Sequence, residues 1–150
     1  MTATFSEARD QILGTFKTAW DANSGAVNGG AVPSLHYEGL KFDPPKDAAW
    51  ARITIRHSTA GQATLAGDPS FGRRRFEKFG VVTVQIFQPL SSGGGLVLAE
   101  NLAQVAKAAF EGKATTGQVW FQNVAINEVG VDGPWFQMNV VASFRYDEIV

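Results

Sequence analysis

Hydrophobic and polar positions alternate most cleanly over residues 49–58. Ala51, Ile53, Ile55 and His57 fall on one side there, and Trp50, Arg52, Thr54 and Arg56 on the other. A period of two predicts a strand with one face in a core. The pattern returns over 81–88, with Val82, Val84 and Ile86 inward and Thr83 and Gln85 outward, and it stops at Pro89. Two longer alternating segments finish the chain, 119–128 and 135–146. In the second, Phe136, Met138, Val140, Ala142 and Phe144 oppose Gln137, Asn139, Ser143 and Arg145. Between them Gly130, Val131, Asp132, Gly133 and Pro134 are dense in turn formers, so a hairpin is expected. A short strand is expected over 35–42, closed by Asp43, Pro44 and Pro45.

Two segments follow the helical period instead. Over 7–22, Ala8, Ile12, Phe16, Ala19 and Trp20 recur at spacings that share one helix face, with Ser6 as a cap and Glu7 and Asp10 near the positive end. The run NSGAVNGGA at 23–31 is expected to break this helix. Over 96–111, Leu98, Leu102, Val105, Ala106, Ala109 and Phe110 form a second stripe, stopped by Gly112. The order helix, strands, helix, hairpin predicts an α+β fold. Its expected form is a mainly antiparallel sheet with two helices packed on one face, in a single domain over 1–150.

Composition narrows the function classes. With 150 residues and 45% hydrophobic content, the chain can bury a core without staples. A net charge of −1 gives no general field for polyanions, so electrostatic steering must be local. The absence of cysteine excludes disulfides, thiolate nucleophiles and every cysteine metal site. No apolar run approaches the ~20 residues that span a bilayer, and the first residues mix acids with bases where a signal peptide needs an apolar stretch. No membrane partner is therefore expected.

Candidate chemistry is sparse. His36 and His57 lie far apart and neither has a second ligand at metal spacing. His57 precedes Ser58, but no glycine–serine elbow or oriented acid accompanies the pair, so a packed or strand-end histidine is expected. The SSGGG run at 91–95 lacks the lysine and glycine spacing of a nucleotide loop and reads as a flexible connection. No catalytic residue, cofactor site or metal site is nominated, and no enzymatic activity is expected.

Two features point to assembly. Arg73, Arg74 and Arg75 sit in FGRRRFEKFG, inside the long connection 59–79. Three adjacent arginines are strongly hydrated, so they are expected to project as a basic loop. That loop would meet acids on a neighbouring protein, meet a phosphate backbone, or simply stay solvated. Trp50, Phe87 and Trp135 fall on the sheet face away from the helices, among Arg52 and Arg56. Aromatics mixed with arginine are interface-like if they cluster in the open.

Three stretches carry a family resemblance: ARITIRHS at 51–58, GRRRFEKFGVVTVQIFQP at 72–89, and VWFQNVAINEVGVDGPWFQMNVVASFRYDE at 119–148. With the helix AENLAQVAKAAFEG and the amphipathic first helix, nearly the whole chain resembles the tail terminator proteins of long-tailed bacteriophages. The resemblance implies an α+β subunit in a hexameric ring at the head-proximal end of the tail. The ring would cap the tail tube, stop tube-protein addition and present a surface to head–tail connector proteins. DNA would meet it only in passing through, and assembly would occur in the host cytoplasm. Residues 23–34 match nothing in that pattern.

Overall fold

A computed structural model describes residues 2–62, 74–90, 95–116 and 118–149. The elements run α1 (Phe5–Val27), β1 (Ser34–Tyr37), β2 (Trp50–Gln62), β3 (Arg75–Pro89), α2 (Val97–Phe110), β4 (Ala114–Thr115), β5 (Val119–Asp132) and β6 (Trp135–Ile149). The strands form one sheet in the order β1-β2-β3-β6-β5-β4. Among the described residues only the β1–β2 pair is parallel. The fold is α+β, with both helices on one face, as the periodicity predicts.

The helix-facing rows hold the core. Ala51, Ile86 and Met138 stand in one row, and Ile53, Val84 and Val140 in the next, all of them buried. Over them lie Ala8, Ile12, Phe16 and Trp20 of α1, each four residues from the next, and Leu102, Ala103, Ala106 and Phe110 of α2. Each of the larger aliphatic and Phe side chains here contributes about 1.5–3 kcal/mol on full burial. Phe16 stacks on Trp20 at 5.4 Å and on Phe110 at 5.5 Å, joining the two helices.

The first helix differs from expectation at both ends. Its cap is Thr4, not Ser6: Glu7 N donates to Thr4 Oγ1, and Thr4 N donates to Glu7 Oε2, which makes a reciprocal capping box. The helix also continues through Asn23, Ser24 and Gly25 to Val27. There Ser24 Oγ donates to the Trp20 carbonyl at 2.5 Å and Asn23 Nδ2 to the Ala19 carbonyl at 3.0 Å. These polar side chains bond back onto the preceding turn instead of ending it. At α2 no side chain of the helix caps its start. The strand residue Gln88 does so, accepting from Ala99 N at 2.8 Å and donating to the Gly95 carbonyl.

The strands outrun the periodic signal. β2 extends to Gln62 and β3 begins at Arg75, because β3 pairs with β6 along its full length, from Arg75 opposite Ile149 to Pro89 opposite Trp135. The expected strand over 35–42 contracts to four residues, and β4 has no counterpart in the sequence reading.

Candidate assembly interface

The face away from the helices is built by the outward residues of three long strands. Trp50, Phe87 and Gln137 form one row, Arg52, Gln85 and Asn139 the next, then Thr54, Thr83 and Val141, then Arg56, Val81 and Ser143. The expected aromatics do cluster. Trp50 stacks on Phe87 at 4.2 Å and 11°, and the Trp135 ring stands edge-on to Trp50 at 6.0 Å.

They are not open, however. Trp50 is 6% exposed and Phe87 4%. Phe42, from the segment after β1, packs on Trp50 at 5.2 Å and on His36 at 4.8 Å. The expectation that Trp50 and Phe87 present an interface is thus corrected: the chain covers them itself. Trp135 keeps partial exposure. The Trp50 indole Nε1 is buried without an acceptor among the described residues.

The arginines of this face are engaged. Arg52 Nε donates to Gln85 Oε1 at 2.7 Å, and its guanidinium lies 5.6 Å from the Phe87 ring centre. Arg56 Nη1 donates to both carboxylate oxygens of Glu38, at 2.5 and 2.6 Å. The same carboxylate accepts the Ile55 N–H at 3.1 Å, so Glu38 stands at the edge of β2 where a further strand would offer a carbonyl. The hydrogen bond from Arg56 holds the Glu38 carboxyl below its usual range, against the opposing effect of burial.

Past His57, β2, β3 and β6 continue as a ribbon carrying cross-strand charge. Arg145 lies 3.5 Å from Glu77, Lys78 lies 3.8 Å from Glu148, and Arg75 lies 3.9 Å from Asp147. Of the three adjacent arginines, Arg75 is therefore a strand residue with an acidic neighbour, not part of a loop. Arg74 directly precedes the strand and Arg73 lies outside the described residues.

His57 sits at the base of this ribbon, packed as the sequence predicts. Its ring stacks on Phe5 at 4.1 Å, and Nε2 is 2.9 Å from the Tyr146 hydroxyl. Burial lowers the imidazole pKa, and the Arg9 and Lys78 cations act in the same direction, while Glu148 opposes them. Burial likewise pushes the Tyr146 phenol up to about 12, with Glu148 adding to the shift.

A separate open groove of about 940 Å³ runs between the outer sides of α1 and α2, lined by Gly14, Thr18, Ala22, Gln104, Val105 and Ala108 among others. The sequence reading did not nominate it. Its signal was the small and neutral residues on the helix faces turned from the sheet.

Glu38 was also missed. It follows a short strand, and only the parallel pairing of β1 with β2 brings it to Ile55 and Arg56.

No family model matches the chain, and no curated protein does. Solved structures do match. One chain, described by a sequence identifier, superposes with a TM-score of 0.63 at 18% identity, over 92% of this chain and 94% of that one. A chain from the virion of a native gene transfer agent (GTA) particle superposes with a TM-score of 0.52 at 11% identity, covering 88% and 91%. At such identities the likeness is one of fold.

Proposed function

We propose that this chain is a structural virion protein of a phage-like tail. In this reading it caps the finished tail tube as a ring, ends tube polymerisation and prepares the tail for head joining. The observation that carries the reading is the fold shared with a chain of the gene transfer agent virion over most of both chains. The stretches that resemble tail terminators, including 51–58, 72–89 and 119–148, supply the finer assignment. The partners are further copies of the chain in a hexameric ring, the tail tube protein and head–tail connector proteins. DNA meets the ring only in passage. No catalytic step, cofactor or metal is required.

A cap needs two unlike axial surfaces: one that binds the tube end, and one that offers the next tube subunit no landing site. The two ends of this sheet are chemically unlike. The ribbon end carries the Arg145–Glu77, Lys78–Glu148 and Arg75–Asp147 pairs. The hairpin end exposes Leu90, whose N–H donates to the Pro134 carbonyl.

Deleting the gene from a producing phage-like element tests the reading. Tubes of undefined length without heads are expected. Tails of normal length that lack heads would instead assign the chain to another neck or head-completion role, a reading the virion likeness accommodates because it fixes no position within the particle. Normal, headed tails would overturn both.

A further inference from the structure

We propose that the sheet continues from one copy into the next: residues 56–61 of β2 in one subunit pair antiparallel with residues 127–132 of β5 in a second copy. The inference rests on the ring reading and names the surface that closes the ring.

Both edges are open among the described residues. β1 covers β2 only from Trp50 to Ile53, and β4 covers β5 only at Val119 and Trp120. Over residues 56–61 of β2 and 127–132 of β5 no described strand lies against the outer edge, and such an edge acts as a template for a further strand. Past Ile55, whose N–H is held by Glu38, the β2 edge is Arg56, His57, Ser58, Thr59, Ala60 and Gly61, with neither an acid nor a proline to guard it. β2 and β5 run in opposite directions within the sheet. A neighbour placed by rotation, with the sheet carried on, therefore brings β5 against β2 in the antiparallel sense. The contact joins two different edges, so it is heterologous and closes into a ring when its rotation permits.

Three independent matches fix the register. The first is charge: β2 contains Arg52 and Arg56 and no acid, and β5 contains Glu128 and Asp132 and no base. Setting residue 56 opposite residue 132 places Arg56 against Asp132 on the helix-free face that both occupy. Arg56 reaches Glu38 and the Ile55 carbonyl through Nη1, and a guanidinium has further N–H donors to offer a second carboxylate.

The second match is apolar. On the helix-facing side His57 then meets Val131, which is 69% exposed, beside Phe5, which stacks on His57 and is 52% exposed. The third is irregularity: the bulge between His57 and Ala60 falls alongside the bulge between Glu128 and Gly130. Bulges re-aim side chains and bend a strand, so two strands bulged at the same level stay parallel in shape. The register staggers neighbouring copies along the strand direction, as closed sheets require.

The chain has no cysteine, which makes cross-linking clean. The double variant Ala60→Cys/Glu128→Cys, mixed with tail tubes and oxidised, is expected to give a ladder of covalent multimers. Each single variant alone should give none, and the two singles mixed should give a covalent dimer. Val131→Glu supplies a second readout. It should leave the melting temperature of the monomer unchanged and weaken ring assembly on tubes about tenfold or more, since a carboxylate would be buried against His57 and Phe5. Rings on tubes that yield no cross-link and ignore Val131→Glu would overturn this inference while leaving the capping role in place. Failure of the parent chain to form any ring on tubes would overturn both.

Discussion

Gly80 lies directly beneath the ring of Phe144. A methyl group on its Cα would stand 2.4 Å from Phe144 Cζ and 2.4 Å from the carbonyl oxygen of Arg56. The aromatic core of the ribbon therefore depends on a missing side chain in the central strand. His57 is level with both residues in the neighbouring strand and leans edge-on against Phe144.

Gly80→Ala should therefore destabilise the chain by about 1–3 kcal/mol, the usual cost of overpacking. Thermal unfolding measures it. Combining it with Phe144→Leu should cost less than the sum of the two single changes, because the smaller side chain relieves the clash with the ring and leaves only that with the Arg56 carbonyl.

Trp50→Phe should change stability little, because the indole N–H has no acceptor among the described residues and its loss removes a buried, unsatisfied donor. Trp50→Ala should cost about 3–5 kcal/mol, since it empties the space between Phe42 and Phe87. Denaturant titration of both variants checks the pair.

His57 should make stability depend on pH. Its folded pKa is lowered from 6.5, chiefly by burial, so the unfolded chain takes up a proton before the folded one does. Stability is then highest above the unfolded value and falls as pH drops through it toward the folded value, below which this contribution is constant. His57→Gln should flatten the slope just below pH ~6.5, read as melting temperature against pH.

The adjacent arginines separate packing from assembly. Arg75→Ala should cost under about 1 kcal/mol, because its pairing with Asp147 is long and partly exposed. The triple Arg→Ala variant at 73, 74 and 75 should fold normally and cap tubes poorly. A triple variant that caps like the parent would remove this segment from the interface.

Much of the fold was legible because periodicity is local. Ala51, Ile53 and Ile55 announce a half-buried strand, and Ile12, Phe16 and Trp20 a helix face, whatever lies elsewhere. Element ends were less legible because partners set them. Arg75 is a strand residue only because Ile149 stands opposite, and Ser24 stays helical because its hydroxyl finds the Trp20 carbonyl.

The candidate interface was half legible for the same reason. The alternation put Trp50, Phe87, Arg52 and Arg56 on one face, but no local pattern could show that Phe42 folds back over Trp50 or that Glu38 holds Arg56. The open edges of β2 and β5 are a property of sheet order, which appears only once β1 and β4 are seen to be short.

The capping role is tested most directly by the mass of the protein in solution across a concentration series, repeated with purified tail tubes. A hexamer is expected, formed alone or on the tube, with one ring at the tube tip and no further tube growth beyond it. A chain that stays monomeric at every concentration and leaves tube ends growing would contradict it.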